Sequence, residues 1–509
     1  MTEPAGVISK TEERFEFWRR RSGFVLAPLV FLTLWFLPVS GLSAEAHRLL
    51  AVFGLVITLW ITEAIPLAVT ALLGPALCVV CGVSSEREVF KSFGNPILFL
   101  FLGSFLLAAG MLRQGLNRRI AFHILGLGWV AKSPARILIA FGVITGFLSM
   151  WISNTAAAAM MFPIAVAILT EMARKLSEES GREVNFTELK FGSGLMLTAA
   201  FGASIGGMAT PVGTPPNLIG ISFIERSIGL KITFFQWMAM GLPLAVGLIA
   251  FLVFYLNRMC PAGAALSRES LAWIHAQKKQ LGRLQPGERN VLLAFSVTVS
   301  LWLLPGVVAV TSGIETPLYR WLNAHLPEGV CALLGATLLF VLPVNWRRGE
   351  ATLTWRDAKG IDWGTILLFG GGLAMGDAMF STGLAKWMGE GLAGQFQTHT
   401  TLGLIVLFTI IGTSLTETTS NTATANMLVP VAIAVAQAAG VSALQPAVAV
   451  CLAASLAFML PVSTPPNAVV YGSGCVPLTQ MLRHGLVLDV VSIVAVIATV
   501  YWLVPVVMR

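Results

Sequence analysis

The amino-acid sequence predicts an all-α polytopic membrane protein of about 11 transmembrane helices plus two re-entrant hairpins, built as two inverted-topology repeats. Three observations carry this. Of 509 residues, 56% are hydrophobic and only 11% are charged, where soluble domains average roughly 25% charged, and the mean hydropathy is +0.79. Apolar stretches of about 20 residues, the length that crosses a bilayer core, recur from Phe24 to Met508. Four short landmarks also occur twice in the same order.

The first stretch, "RFEFWRRRSGFVLAPLVFLTLWFLPVSGLSAEA", resembles a cleaved leader, but its apolar run is long for one and it reads as a retained first helix. Spans are expected near 24–41, 46–64, 67–83, 95–112, 189–228, 236–256, 290–309, 328–343, 363–381, 443–474 and 485–507. The net charge of +8 raises the question of nucleic acid, yet the basic residues sit in short loops between spans. With the N-terminus cytoplasmic, 25 of the 33 Lys and Arg fall inside: before Phe24, between Arg113 and Arg136, in 171–190, 257–289 and 344–361, and at Arg483. The positive-inside rule then puts the C-terminus outside, in the plasma (inner) membrane. The six cysteines lie in or beside apolar segments without metal-ligand spacing and read as small core residues.

The repeats order the chain. "ALLG" at 71–74 returns at 332–335, each time five residues after a proline, Pro66 and Pro327. "LFLGSFLLAAGMLRQGL" at 100–116 aligns without gaps to "LFGGGLAMGDAMFSTGL" at 368–384. A Ser-Asn-Thr triplet follows in both, then "GTPPN" at 213–217 or "STPPN" at 463–467. This divides the chain into a cytoplasmic N-terminus and first helix (1–45), a first repeat (46–256), a cytoplasmic loop (257–289) and a second repeat (290–509). The expected spans ending near 112 and 381 cross in opposite senses, so the copies are inverted. Inverted repeats are characteristic of secondary transporters, with the substrate site near mid-membrane where the repeats meet.

Each triplet sits inside an apolar stretch. The arms of 137–170 hold some 14 residues each, about 21 Å of helix, short of a hydrocarbon core of roughly 30 Å. A hairpin that enters and leaves by one side fits; 402–440 repeats it from the other side. Each triplet is then a tip at mid-depth, where polar residues are costly and usually functional. Ser, Asn and Thr are N-cap residues, and the free N–H groups of a helix start bind anions such as carboxylates. The candidate substrate ligands are Ser153, Asn154 and Thr155 with Ser420, Asn421 and Thr422. Pro-Pro cannot continue a helix, so 189–228 and 443–474 are expected to be broken helices, with loose carbonyls and fresh N-termini. No arginine or lysine lies well inside these elements; Lys190 and Arg226 stand at the two ends of 189–228. A dianion facing only dipoles and hydroxyls would not recover its dehydration cost, so co-bound sodium ions are expected. Their candidate oxygen ligands are Ser149, Asn154 and the backbone near Gly213, then Thr416, Asn421 and the backbone near Ser463.

Paired Ser-Asn-Thr tips, each followed by a Thr-Pro-Pro-Asn break, resemble the divalent-anion:sodium symporter family over nearly the whole chain. The resemblance implies a homodimer, elevator-type alternating access and small dianionic substrates such as succinate, malate, fumarate, citrate or sulfate. It implies that both triplets contact a substrate carboxylate and flank two sodium sites. Thr214, Pro215, Thr464 and Pro465 would then stand beside the substrate, and Ser153 and Ser420 would join the sodium ligands. The absence of a large hydrophilic insertion favours C4-dicarboxylates. An exchanger on the same scaffold and an anion channel are the rival readings. An enzyme is not expected: H-E-x-x-H and G-x-G-D are missing. Glu417, three residues before Ser420, is a candidate for orienting the second tip or tuning a cation site. His484 is expected at the interface, at a cytoplasmic helix end.

Overall fold

A computed structural model describes residues 10–130, 133–262, 268–396 and 400–508. Residues 1–9 of the expected N-terminal segment and 263–267 of the expected loop lie outside them. After α1 (Lys10–Phe36), the expected first repeat corresponds to α2 (Ala44–Thr62), α3 (Leu67–Val80), α4 (Glu86–Phe90), α5 (Pro96–Gln114), α6 (Leu116–Leu125), α7 (Pro134–Ser149), α8 (Asn154–Ser180), α9 (Lys190–Gly207), α10 (Pro215–Ile228) and α11 (Phe234–Met259). After α12 (Arg268–Gln280), the expected second repeat corresponds to α13 (Pro286–Ser312), α14 (Pro317–His325), α15 (Glu328–Val341), α16 (Trp355–Ala358), α17 (Trp363–Thr382) and α18 (Leu384–Phe396). It closes with α19 (Thr401–Thr416), α20 (Asn421–Ala438), α21 (Leu444–Ala453), α22 (Pro465–Tyr471), α23 (Leu478–Ala498) and α24 (Val504–Val507).

The protein is an all-α polytopic membrane protein, and each expected span coincides with a helix or helix pair. Seven described helices are long and apolar enough to cross a bilayer, or eight if α14 and α15, bent by 62°, form one span. α8 is among the seven. It runs 27 residues, ten beyond the expected end of the first hairpin, because "EMARKLSEES" is rich in helix formers with charges four apart, Arg174–Glu178 and Lys175–Glu179. The stretch 257–289 is not a plain loop, since α12 lies within it. A two-stranded hairpin, Pro343–Asn345 with Glu350–Ala351, occupies part of the loop after α15.

The two repeats grip one another reciprocally. Gly103 of α5 abuts Ala332 of α15, where an added Cβ would lie 2.6 Å from the Ala332 carbonyl carbon. Its counterpart Gly371 of α17 abuts Ala71 of α3, with a Cβ 2.0 Å from the Ala71 carbonyl oxygen. These are the same two motif positions exchanged between copies. Small residues let helix backbones close up where lipid supplies no hydrophobic drive between helices. The second halves interlock likewise: α10 packs on α20, and α22 on α8.

Candidate functional site

Local sequence builds four helix starts. α7 stops after Ser149, three residues turn, and Ser153 caps α8, accepting a hydrogen bond from the Ala156 N–H at 3.2 Å. α19 stops after Thr416, and Ser420 precedes α20 without a side-chain cap bond. The Pro-Pro pairs do not kink continuous helices; they occupy the first two positions of α10 and α22, where a missing N–H costs nothing. Before them the chain is unwound over Met208–Thr214 in one repeat and over the longer Ala454–Thr464 in the other. Thr464 accepts from the Asn467 N–H at 3.3 Å.

These starts surround one cavity of about 850 Å³. All ten expected substrate ligands line it: Ser153, Asn154, Thr155, Thr214, Pro215, Ser420, Asn421, Thr422, Thr464 and Pro465. Positions more than 260 residues apart in the chain thus meet. Among the described residues no lysine or arginine lines the cavity, whereas Glu63 and Asp362 do.

Behind each tip lies a matching oxygen cluster. The buried Ser149 hydroxyl donates to Asn154 Oδ1 at 2.7 Å, and the buried Thr416 hydroxyl lies 2.8 Å from both Asn421 Oδ1 and the Ala454 carbonyl. With Oδ1 engaged, each asparagine is left its amide N–H₂ to offer the cavity. A Cβ on Gly207 would lie 2.5 Å from Asn154 Oδ1 and 3.2 Å from the Gly213 carbonyl oxygen. One on Gly213 would lie 2.5 Å from the Gly207 oxygen and 3.0 Å from that of Ser149. The first cluster therefore has room only because both positions are glycine. The residue types fit a hard cation, which takes oxygen ligands. Of the expected cation ligands, Ser153, Asn154, Gly213, Ser420, Asn421 and Ser463 line the cavity, while Ser149 and Thr416 do not.

Two asparagines escaped the sequence reading. Asn217 Nδ2 donates to the carbonyls of Gly207 (3.1 Å) and Thr210 (2.8 Å), and Asn467 Nδ2 to those of Ala457 and Leu460 (3.0 Å each). Each asparagine closes its own unwound segment, satisfying carbonyls that would otherwise be lost at membrane depth. Their place in both Pro-Pro-Asn motifs was the available signal. Glu417 accepts from three consecutive N–H groups, Phe458 (2.6 Å), Met459 (3.0 Å) and Leu460 (3.2 Å), tying the second tip to the second break. The first repeat does this differently, with the Thr210 hydroxyl donating to the Met150 carbonyl at 2.6 Å. His484 is buried within the protein, 6% exposed, and pairs through Nδ1 with the Tyr255 hydroxyl at 3.0 Å where α23 packs against α11.

Known proteins resemble this chain along nearly its whole length. The family described as the sodium:sulfate symporter transmembrane region matches residues 19–508. A Staphylococcus saprophyticus protein named sodium-dependent dicarboxylate transporter SdcS is 36% identical over 494 residues, 95% of this chain and 91% of that protein. A Staphylococcus aureus protein of the same name is 36% identical over 497 residues, 96% of this chain and 91% of its own. Among solved structures, the Alcanivorax borkumensis YdaH transporter has a similar fold, with a TM-score of 0.53 at 12% identity over 96% of this chain and 97% of that one.

Proposed function

The chain belongs to the sodium:sulfate symporter transmembrane-region family, and from that premise we propose that it is a sodium-coupled secondary transporter of C4-dicarboxylates such as succinate, malate and fumarate. One observation carries the reading: both triplets and both Pro-Pro breaks line a single cavity that no described basic residue enters. The relatives named as sodium-dependent dicarboxylate transporters support the substrate class and the coupling ion.

The charge balance supports it as well. α8, α10 and α20 each span 14 residues or more and begin at the cavity. Each helix start carries roughly half a positive charge, so the three together approach the charge needed against a dianion only in part. Two sodium ions in the clusters at Ser149–Asn154–Gly213 and Thr416–Asn421–Ser463, with Ser153 and Ser420 alongside, supply the remainder. A dicarboxylate then has one carboxylate at each triplet, held by helix-start N–H groups, hydroxyls and the two asparagine amides. Without sodium, Asp362 on the wall repels the dianion, which couples the binding of one to the other.

The wall also suggests how access alternates. Most of its polar groups come from the hairpins and breaks, whereas α5 contributes Phe105, Ala108, Ala109 and Leu112 with the single hydroxyl of Ser104. A body bearing substrate and ions would slide along that face, an elevator-type motion. Leu112 and Gly360, exposed residues of the wall, adjoin Arg113 and Lys359, which supports a cavity open to the basic side, the cytoplasm if the N-terminus is inside and the C-terminus outside. The proposal extends to a homodimer in the plasma membrane, on the strength of the family likeness.

The test is succinate uptake into proteoliposomes under an inward sodium gradient. Uptake that stops when potassium replaces sodium is expected. Uptake indifferent to every cation gradient would favour a channel, and sodium-independent counterflow an exchanger.

A further inference from the structure

The second hairpin tip is held from outside its own repeat by one arginine of α1. Arg19 Nη1 donates to the Thr418 carbonyl at 3.3 Å, two residues before Ser420, and to the Ile61 carbonyl at 3.3 Å. Its Nη2 faces the carboxylates of Glu16 at 2.8 Å and Glu63 at 3.2 Å. The guanidinium is thereby fixed on three sides by α1 and the end of α2, and its remaining bond goes to the tip.

Two further features belong to this arrangement. Glu63 ends α2 at φ 48°, ψ 35°, the sole non-glycine positive φ among the described residues, and lines the cavity. Such a conformation is costly for a residue with a Cβ, persists only where its surroundings enforce it, and tends to cluster at ligand clamps and switches. Gly23, one turn beyond Arg19, lets α1 lie against α2: a Cβ there would come within 2.1 Å of Thr62 Oγ1. The cluster is not an anion receptor, because Glu16 and Glu63 take up the Arg19 guanidinium and the exposed Arg20 lies 3.8 Å from Glu16, which leaves no net positive charge. Its geometry, not its charge, reaches the site.

We propose that Arg19, anchored by Glu63, is a positioning residue that clasps the second hairpin tip while the cavity is open to the basic side, and that it releases the tip for the opposite state. This rests on the alternating-access reading above. The clasp stabilises one state and so slows departure from it, although neither Arg19 nor Glu63 need touch substrate.

The experiment reads conformation without transport. Leu112→Cys, on the cavity wall, is introduced into the full chain with the six native cysteines replaced, and is labelled from the cytoplasmic face of proteoliposomes by a membrane-impermeant maleimide, without substrate. Arg19→Gln is expected to slow labelling several-fold, and Glu63→Gln to slow it less. Arg19→Lys keeps the charge but cannot span both carbonyls, so an intermediate rate is expected. The double variant Arg19→Gln/Glu63→Gln should stay slow. Labelling of Arg19→Gln at the wild-type rate overturns the proposal, as does a wild-type rate in the double variant, which would reduce the pair to charge balance. Where Arg19→Gln does not accumulate, Arg19→Lys decides: slowed labelling supports the clasp and an unchanged rate overturns it. Absence of sodium-driven uptake in the wild type would sink the transport reading instead, with the labelling comparison intact.

Discussion

Thr416→Val isolates the second cation cluster. Thr416 is fully buried (0% exposed), and its hydroxyl serves both Asn421 Oδ1 and the Ala454 carbonyl at 2.8 Å. Valine keeps the shape and removes the oxygen, so the one proton shared between two acceptors is lost and the proposed sodium ion loses a ligand. A buried acceptor left unpaired costs about 1–3 kcal/mol. If that penalty falls on the sodium-competent arrangement, sodium affinity drops roughly 5- to 150-fold. The control is Thr409→Val, two turns earlier on the same helix. Thr409 is equally buried, but its hydroxyl only bonds back to the Ile405 carbonyl at 2.6 Å. Both variants should lose similar stability, about 1 kcal/mol, visible as a lower Tm in potassium. Only Thr416→Val should raise the sodium concentration for half-maximal succinate uptake and lose the sodium-induced gain in Tm. A sodium midpoint shared by Thr416→Val, Thr409→Val and wild type would refute the assignment of this cluster.

Other expectations follow from the same geometry. Asn154→Ala and Asn421→Ala should each abolish sodium-dependent succinate uptake while elution on size-exclusion chromatography stays that of folded protein; wild-type rates would remove the triplets from the site. Glu417→Ala strands three N–H groups and should lower Tm well beyond Glu417→Gln, whose amide oxygen still accepts; equal losses would show that the carboxylate does not tie the tip to the break. Gly103→Ala and Gly371→Ala each drive a Cβ into the facing backbone and should cost about 1–3 kcal/mol as overpacking, measured by thermal unfolding in detergent. A loss confined to one of them would argue against reciprocal packing.

Repeated short motifs were legible in the sequence because their chemistry is local. Ser-Asn-Thr and Pro-Pro announce helix starts by backbone rules alone, and their duplication told where two such starts would meet. The reach of α8 to Ser180 was missed because an amphiphilic helix leaving the membrane looks like a charged loop to a hydropathy reading. Asn217 and Asn467 stood in the quoted motifs, but that they would close the unwound segments depends on how many residues unwind. Glu417 was marked, yet its partners lie about 40 residues on, across a break of unforeseen length. The bond from Arg19 to Thr418 spans 399 residues, a separation for which no periodicity or spacing gives a cue.

The exchanged contacts of Gly103 with Ala332 and Gly371 with Ala71 bear on how the molecule is made. During synthesis the first half reaches the membrane with its glycine notch uncovered, and the helix that fills it has yet to be translated. Lipid or the insertion machinery must keep that notch vacant in the interval, and the final clasping of the halves becomes a late, joint event. Two separately expressed halves should therefore accumulate together in cells and be degraded apart.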